Sequence, residues 1–304
     1  MKILVTGGCG TIGTPLVKEL RKRDHDVWTI DLAHSHELFH RRVDVGEYRQ
    51  LREFWPGQKP FDLVYHLAAE FGRHNGDDYY EQCWKTNAIG TRNMLEFQHE
   101  YGFKMVFFSS SEIYGDFRGE MHESTPLDYP MFQMNDYAIS KWANELQILN
   151  MSERHNLQNV RVRLFNTYGP GEYYNEYRSV IARFCYYALH AMPYTVHLGH
   201  KRSFSYIDDT VNALANISKA FVSGDIYNIG DSAQYDIEYV SGLIHEECGT
   251  GGSLVQYKDK EALTTTEKAI NNNEARTRLG YMPSVSLEEG IHNTVEWMRQ
   301  VYGK

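Results

Sequence analysis

The sequence predicts a doubly wound α/β fold, in which helices cover both faces of a parallel sheet and a smaller C-terminal α/β lobe follows. Three observations lead to this prediction. Short and almost wholly apolar runs, rich in β-branched residues, alternate with amphipathic helical patterns through the first half of the chain. A glycine-rich segment directly follows the first apolar run. After about residue 165 the alternation becomes irregular, which indicates a second lobe.

The predicted elements follow from these patterns, taken in chain order. The expected strands of the sheet are residues 2–6, 26–30, 63–67, 105–109 and 160–164, and the expected helices between them are 11–23, 48–55, 79–101 and 137–155. In the C-terminal lobe we expect a loop at 166–177, helices at 179–190, 209–221, 237–247 and 287–301, and strands at 194–198 and 226–229. We therefore assign residues 1–165 to a dinucleotide-binding domain and 166–304 mainly to substrate binding, within one cooperative unit whose segments interleave.

Composition excludes several classes of function. The 304 residues include 31 Lys and Arg against 40 Asp and Glu, and a net charge of −9 disfavours nucleic acid and anionic membranes as partners. The four cysteines show no paired spacing, so we expect free thiols in a reducing compartment. The 14 histidines have no metal-ligand spacing, and no metal is expected. A strand opens the chain and no apolar run approaches a membrane span, which predicts a soluble cytoplasmic protein.

The glycine-rich turn at residues 7–13 predicts a Rossmann-type site for a dinucleotide. Glycine permits the positive φ that such a turn needs, and its missing side chain lets a diphosphate approach the backbone. The helix that begins after the turn presents unpaired N–H groups to the phosphates. The residues assigned to the diphosphate are Gly7, Gly10, Thr11, Ile12 and Gly13.

Asp31, at the end of the second strand, selects the cofactor. A carboxylate there accepts both adenosine ribose hydroxyls and repels a 2′-phosphate, which favours NAD over NADP. The alternative is a strand-end acid that caps a turn. Asp44 and Val45 are candidates to flank the adenine, although a plain loop acid explains Asp44 equally well.

Small residues at the end of the third strand are a further cofactor candidate. Leu67, Ala68 and Ala69 suit a place where backbone lies against a pyrophosphate, but core packing explains them equally well. Asn87 lies inside a predicted helix, where an asparagine is mildly unfavourable unless its amide bonds something. We expect Asn87 to brace the fold beside the cofactor rather than to act chemically.

Two polar segments form the predicted catalytic group. Ser110, Ser111 and Glu112 directly follow the fourth strand, where ligands of open α/β sheets bind. Tyr137 and Lys141 are four residues apart, and so lie on one helix face. An ammonium near a phenol, together with a positive nicotinamide, lowers the pKa of the phenol towards working pH.

These motifs together resemble the extended short-chain dehydrogenase/reductases, specifically the NAD-dependent epimerase/dehydratase group that acts on nucleotide sugars. The resemblance covers essentially the whole chain. It rests on the glycine turn, Asp31, the serine loop and the Tyr137–Lys141 pair, together with three further segments. Those segments are residues 65–69 (YHLAA), 163–170 (RLFNTYGP) and 202–209 (RSFSYIDD), and the tail at 279–291 is also similar.

The resemblance implies an oxidation–reaction–reduction cycle on tightly held NAD. Tyr137 would take the proton of the sugar C4 hydroxyl, and Ser110 or Ser111 would bond the same oxygen. Lys141 would hold the nicotinamide ribose and lower the Tyr137 pKa. The resulting 4-keto sugar then permits dehydration, decarboxylation or epimerisation.

Glu112 bears on which of these reactions occurs. In the family, 4-epimerases usually carry a small residue at this position, whereas 4,6-dehydratases carry a glutamate that removes the C5 proton. Many dehydratases also have an aspartate just before it, where this chain has Ser111. The resemblance therefore favours a 4,6-dehydratase, with an epimerase or an NDP-glucuronate decarboxylase as alternatives. Glu70 adds an acid near the sugar, or else is a helix-entry acid.

The remaining expectations concern the partner molecules. Asn166, Arg178 and Arg202 are the candidates for binding the nucleotide diphosphate, because guanidinium forks match phosphate oxygens. Arg202 matches a family position with that role, whereas a surface ion pair explains Arg178 equally well. The family tends to form homodimers through helices equivalent to 79–101 and 137–155. A non-catalytic NAD-sensing protein is the alternative from another class, and an intact Tyr–Lys pair disfavours it.

Overall fold

The computed structural model describes residues 1–55, 60–261 and 264–304. Within them the chain divides into two compact units. The first comprises Met1–Ile113, Asn135–Leu164 and Val211–Tyr227, and the second comprises Tyr114–Met134, Phe165–Thr210 and Asn228–Lys304. No helix in the described part is long and apolar enough to span a membrane.

The strands, in chain order, are β1 (Lys2–Thr6), β2 (Asp26–Asp31), β3 (His40–Arg42), β4 (Leu63–His66), β5 (Lys104–Ser110), β6 (Glu120–Met121), β7 (Asn159–Leu164), β8 (Asn166–Tyr168), β9 (Tyr194–His197), β10 (Lys201–Arg202), β11 (Phe204–Tyr206), β12 (Ile226–Ile229), β13 (Tyr235–Asp236), β14 (Val255–Lys258) and β15 (Ala269–Ile270). The α-helices are α1 (Gly13–Lys22), α2 (Tyr48–Phe54), α3 (Arg73–Asp78), α4 (Tyr80–Trp84), α5 (Gly90–Tyr101), α6 (Thr125–Asp128), α7 (Asp136–His155), α8 (Val180–Leu189), α9 (Ile207–Ala220), α10 (Ile237–Cys248), α11 (Asn273–Leu279) and α12 (Leu287–Tyr302).

A seven-stranded sheet in the order β12-β7-β5-β4-β1-β2-β3 confirms the predicted doubly wound α/β class. Each pair of neighbouring strands in the series β7-β5-β4-β1-β2-β3 is parallel. The strand order reverses between β1 and β4, which is the switch point where open α/β sheets bind ligands. Strands β1 and β4 are buried almost throughout, as expected when helices cover both faces.

The second unit contains short strand pairs and a helical layer. β8 pairs with β11, β9 with β14 and β6 with β15, all in parallel, whereas β10 and β13 are antiparallel. Helices α8, α10 and α12 pack against one another. These elements form the smaller α/β lobe that the sequence predicts.

Three sequence-based expectations about elements were wrong in detail. Residues 79–101 are not one α-helix, because a π-helical turn at Lys85–Ile89 separates α4 from α5. Strand β12 belongs to the main sheet beside β7 rather than to the C-terminal lobe. The start of the expected loop at 166–177 is strand β8, whose pairing partner β11 is distant in sequence and gives no local signal.

Candidate dinucleotide and catalytic site

The glycine turn between β1 and α1 is shaped so that side chains do not fit. Gly7 has φ +72°, and a Cβ added to it would lie 2.8 Å from the Ala68 nitrogen. A Cβ on Gly13 would lie 2.1 Å from the Gly7 carbonyl oxygen. Gly10 closes the turn by donating its N–H to that same oxygen over 3.1 Å. The turn therefore brings backbone from β1, α1 and the end of β4 to within contact distance.

The N-terminus of α1 is suited to an anion. Ile12 precedes the helix and provides no side-chain cap, and no acidic residue occurs in the first turn. Main-chain N–H groups at a helix start carry partial positive charge and bind phosphates when no side chain caps them. The close backbone packing at Gly7 and Gly13 places this helix start directly behind β1.

Asp31 braces the glycine turn from the end of β2. One carboxylate oxygen accepts the Cys9 N–H over 2.9 Å, and the other accepts the Ala33 N–H over 3.0 Å. The alternative interpretation, a capping acid, therefore describes part of what Asp31 does. Each oxygen keeps further acceptor capacity, so ribose hydroxyls still fit the same carboxylate.

The loop around Asp44 and Val45 is fixed on both sides. Asp44 accepts the Gly46 N–H over 2.8 Å and lies 3.8 Å from the Lys85 ammonium, while Asn93 donates to the Val45 carbonyl over 2.9 Å. Lys85 begins the π-helical turn, so the loop is attached to that turn. A rigid, partly buried loop is compatible with the predicted place beside an adenine.

Asn87, in the middle of the π-helical turn, bonds in every direction that its amide allows. Its oxygen accepts the Glu70 N–H over 2.9 Å, and its nitrogen donates to the Glu70 carbonyl over 3.0 Å and to the Ser140 hydroxyl over 3.0 Å. Asn87 thereby connects the segment after β4 to the middle of α7. This agrees with the expectation that it braces the fold. The Glu70 carboxylate accepts a hydrogen bond from Asn75 over 3.0 Å.

The structure brings the serine loop and the tyrosine helix together in the first unit. Ser110 ends β5 and Ser111 begins a 3-10 turn, and the Glu112 N–H donates to the Ser110 hydroxyl over 3.2 Å. Helix α7 is capped by Asn135, whose oxygen accepts the Ala138 N–H over 2.8 Å. This cap fixes the start of the helix next to Tyr137, which is hydrogen-bonded to Ser110.

The electrostatics of Tyr137 differ from the sequence-based expectation. Burial raises the pKa of the phenol, the Ser110 hydrogen bond lowers it, and the Glu112 charge raises it further. The Lys141 ammonium lies 5.9 Å from the centre of the Tyr137 ring. It donates to the Phe108 carbonyl over 2.8 Å. The protein groups alone therefore leave this phenol protonated at neutral pH.

The diphosphate candidates all lie in the second unit. Asn166 donates to the Ser203 carbonyl over 3.0 Å. Arg202 donates to the Thr266 carbonyl over 3.1 Å and to the Thr264 hydroxyl over 3.2 Å. Burial lowers the pKa of Arg178, and the Glu172 charge opposes that effect. The second unit thus holds these side chains in defined positions through its own residues.

Sequence reasoning missed several residues that position the catalytic group. Ser140 and Cys83 contact each other over 3.7 Å beside Asn87, and α3 approaches α7 where Gly76 has no side chain, since a Cβ there would lie 2.9 Å from Tyr137. Ser109 and Glu145 form a buried contact of 2.6 Å. The four-residue spacing of Glu145 from Lys141 was the available signal for that contact.

Comparison with known proteins gives one family. The model of the NAD dependent epimerase/dehydratase family matches residues 3–230. The UDP-N-acetyl-alpha-D-glucosaminuronate decarboxylase of Bacillus cytotoxicus is 29% identical over 319 residues, which cover 99% of this chain and 98% of that protein. The dTDP-glucose 4,6-dehydratase of Streptomyces niveus is 27% identical over 320 residues, which cover 98% of this chain and 93% of that protein.

A solved structure agrees over the same extent. The UDP-glucose 4-epimerase of Thermus thermophilus, in complex with NAD, superimposes with a TM-score of 0.84 and 26% identity. The superposition covers 98% of this chain and 99% of the epimerase. These similar proteins are named for three different reactions, namely decarboxylation, 4,6-dehydration and 4-epimerisation.

Proposed function

Because this chain belongs to the NAD-dependent epimerase/dehydratase family, we propose that it converts a nucleotide sugar by way of a transient 4-keto intermediate. We further propose that the reaction is 4,6-dehydration. The observation that carries the proposal is the grouping of Ser110, Glu112 and Tyr137 at the end of β5. An acid beside the phenol that deprotonates the C4 hydroxyl is what removal of the C5 proton requires.

The cofactor of this family is NAD, and the chain has a matching cradle. Gly7, Gly10 and Gly13 would hold the diphosphate with the N–H groups of Thr11 and Ile12, and Asp31 would hold the adenosine ribose. Asp44 and Val45 would flank the adenine. Leu67, Ala68 and Ala69 would lie against the pyrophosphate, and Lys141 would bond the nicotinamide ribose. Bound NAD supplies a hydride acceptor at sugar C4 and a hydride donor at the end of the cycle.

Tyr137 acts as the base for the C4 hydroxyl in this proposal. Ser110 would orient the C4 hydroxyl by hydrogen bonding, and its bond to Tyr137 favours the ionised phenol. The Lys141 ammonium has N–H donors left beyond its bond to Phe108. A positive charge on a cofactor bound near Tyr137 would oppose the effects of burial and of Glu112 on the pKa of the phenol.

Glu112 acts on C5 in the second step. The 4-keto group acidifies the C5 hydrogen, and the Glu112 carboxylate takes that proton while the C6 hydroxyl leaves as water. Ser111 stands where an acid would otherwise assist departure, so the proton for the leaving hydroxyl comes from Glu112 itself. Glu70, on the segment that Asn87 holds, is the second acid available within the first unit.

Decarboxylation is the second candidate, and one observation favours it. The Bacillus cytotoxicus relative is a decarboxylase that aligns with 99% of this chain. In that reaction the 4-keto group weakens the bond from C5 to the carboxylate, carbon dioxide leaves, and Glu112 or Tyr137 returns a proton to C5. A 4-epimerase would have no use for an acid at Glu112, and an NAD-sensing protein would have none for the Tyr137–Lys141 pair.

Asn166, Arg178 and Arg202 bind the substrate diphosphate in this proposal, which matches anionic ligands to guanidinium groups in a chain of net charge −9. The proposal also includes that the protein forms a homodimer and is located in the cytoplasm. Light scattering of the purified protein tests the first of these, since a monomer would contradict the dimer.

Product masses test the proposed reaction directly. The purified protein is incubated with UDP-, GDP-, CDP- and dTDP-hexoses and with UDP-glucuronate, and products are read by mass spectrometry. Loss of water from a hexose supports the dehydratase, and loss of carbon dioxide from the glucuronate supports the decarboxylase. Products of unchanged mass alone would reject both in favour of epimerisation. Tyr137→Phe is the matched control that should abolish all of these conversions.

A further inference from the structure

Helix α7 carries a third functional side chain on its catalytic face. Tyr137, Lys141 and Glu145 follow one another at intervals of four residues, so they lie along one side of the helix. Glu145 is fully buried. Its carboxylate accepts hydrogen bonds from Ser109 over 2.6 Å, from Arg163 over 2.9 and 3.0 Å, and from Arg161 over 3.3 Å. These partners are on two adjacent strands of the sheet.

The strand pairing explains why these groups meet. In the β5–β7 register, Ser109 stands opposite Arg163, and Phe107 opposite Arg161. Alternate residues of a strand point to the same face, so both guanidinium groups point to the face that α7 covers. Burial works to raise the pKa of Glu145, but the charges of Arg163 and Arg161 and the Ser109 hydrogen bond hold it below its usual value. Glu145 is therefore an ionised carboxylate inside the first unit.

A buried ionic group of this kind fixes the relative positions of its partners more than it stabilises the fold. Buried ion pairs stabilise a fold little better than apolar residues of the same volume, because the loss of hydration cancels the attraction. Their hydrogen bonds, however, fix relative positions closely. Arg163 donates a hydrogen bond to each oxygen of the Glu145 carboxylate. This two-point contact fixes the orientation in which the carboxylate accepts the Ser109 hydroxyl.

Three consecutive residues of β5 are each tied to α7. The Phe108 carbonyl accepts from Lys141, the Ser109 hydroxyl donates to Glu145, and Ser110 is hydrogen-bonded to Tyr137. The first and third of these contacts belong to the catalytic group, and the second lies between them in the strand. We propose that Glu145, oriented by Arg163 and Arg161, is a positioning residue that sets the register between β5 and the catalytic residues of α7 through Ser109.

Two further contacts of α7 are made to other helical segments of the first unit. Trp84 donates to Asp136 over 2.9 Å, and Asn87 donates to Ser140 over 3.0 Å. Both hold α7 against α4 and the π-helical turn at Lys85–Ile89 rather than against β5. Loss of the Ser109 contact would therefore remove the middle one of the three ties between α7 and β5, while Arg163 and Arg161 still hold Glu145 to β7.

Ser109→Ala is the variant that tests the proposal, and its kinetic part rests on the proposed function. We expect kcat to fall about tenfold with KM for the nucleotide sugar changed less than about twofold, because misplaced catalytic groups cost rate and not substrate affinity. A weakened Ser110 bond raises the Tyr137 pKa, so the acidic limb of the kcat–pH profile should move up by about half a pH unit. Glu112 and Cys83, the other groups acting on that phenol, are unchanged.

A matched control and a conservative variant separate positioning from general stability. Ser152→Ala removes a hydroxyl that accepts from Asn159 over 2.9 Å, which also joins α7 to β7 but at the far end of the helix. It should leave the pH profile unchanged. Ser109→Thr keeps the hydroxyl and should restore the wild-type profile. Equal losses in the two alanine variants would overturn the proposal.

A readout without turnover keeps this inference distinct from the proposed function. The protein is labelled with carbon-13 at the Cε atoms of its lysines, and carbon NMR follows the titration of Lys141. The Lys141 signal is identified as the one that is missing from the Lys141→Arg variant. Burial lowers the pKa of this ammonium to about 8, and we expect Ser109→Ala to raise it measurably by letting solvent in. An unchanged titration in Ser109→Ala would overturn the positioning role even if the substrate remained unidentified. A shift without any sugar conversion would reject only the proposed function.

Discussion

Lys141 and Phe108 are joined by a buried hydrogen bond, in which the ammonium donates to the main-chain carbonyl over 2.8 Å. The lysine side chain also lies over the Phe107 ring at 5.2 Å, and only 4% of the residue is exposed. Burial lowers its pKa from 10.5 to about 8, and no carboxylate among the described residues pairs with it closely enough to restore the usual value. Because this buried ammonium has a different pKa in the folded and unfolded chain, the stability of the fold depends on pH.

The free energy of unfolding should rise with pH because of Lys141. Between about pH 8 and 10.5 the unfolded chain binds this proton more tightly than the folded chain, so stability increases over that window. The contribution is on the order of 1–3 kcal/mol. Lys141→Met should remove the rise. Urea unfolding of nucleotide-free protein at pH 7.5–9.5, taken as the difference between wild type and variant, measures it.

The difference between the two proteins is the informative quantity in that measurement. Tyr137 has a raised pKa and so contributes in the opposite sense above about pH 10, but it is present in both. Lys18→Met, at an exposed position of α1, is the control and should show no pH-dependent difference. A pH-independent difference for Lys141→Met would contradict the low pKa.

Gly13 should be indispensable for cofactor retention. Alanine there would place a methyl group 2.1 Å from the Gly7 carbonyl oxygen, so the turn must open and the N–H groups of α1 lose their alignment. We expect Gly13→Ala to purify without nucleotide and to bind NAD at least about 100-fold more weakly. Isothermal titration with NAD measures this loss.

Gly242→Ala is the control for that substitution. Gly242 lies in α10, and an added Cβ would meet nothing within 4 Å. Alanine should leave NAD binding unchanged and stabilise the helix by about 0.5–1 kcal/mol. Equal NAD affinity in both variants would show that the turn does not hold the diphosphate.

Asp31 should control the choice between NAD and NADP. Its carboxylate receives the Cys9 and Ala33 N–H groups, and each oxygen keeps acceptor capacity for a ribose hydroxyl. Asp31→Ser should weaken NAD binding about tenfold and narrow the preference over NADP by a similar factor. Asp62→Ala removes another acid that accepts a main-chain N–H of β1, over 2.7 Å from Lys2, and should alter neither affinity.

The sequence was sufficient for the features that depend on local pattern. Apolar runs in β1 and β4 and the glycine turn predict the sheet and its ligand-binding edge, since burial on both faces and positive φ leave direct traces in residue type. The spacing of Tyr137 and Lys141 likewise places them on one side of α7. Each of these inferences needs only neighbours within one or two turns of chain.

The features that the sequence could not predict depend on contacts between distant segments. Strand β12 joins the main sheet only because Phe165 donates to Ile229 and Arg161 to Asp225, across about 64 residues of chain. The π-helical turn leaves the Ala88 carbonyl to accept from Gln147 of α7 over 3.2 Å, a partner that no periodicity reveals. The raised pKa of Tyr137 depends in the same way on burial by several elements.

Glu112→Gln should separate the first step of the proposed reaction from the second. Tyr137, Ser110 and Lys141 remain, so oxidation at C4 proceeds, but no carboxylate is left to move a proton at C5. Because general base catalysis contributes about 10²–10⁴-fold, conversion should fall by that factor while reduced cofactor accumulates on the protein. Stopped-flow absorbance of the reduced nicotinamide, together with product analysis, measures both effects.

Isotope exchange at C5 tests directly whether Glu112 moves the C5 proton. In deuterated water the wild-type protein should place deuterium at C5 of the product, and Glu112→Gln should not. Glu123→Gln is a suitable control, because that acid accepts the Asn228 N–H over 2.8 Å within the second unit and should leave exchange intact. If Glu112→Gln still incorporated deuterium at the wild-type rate, then the C5 proton would move through another group. Glu70 would then be the acid of the first unit to substitute next, because Asn87 holds its backbone next to the catalytic helix.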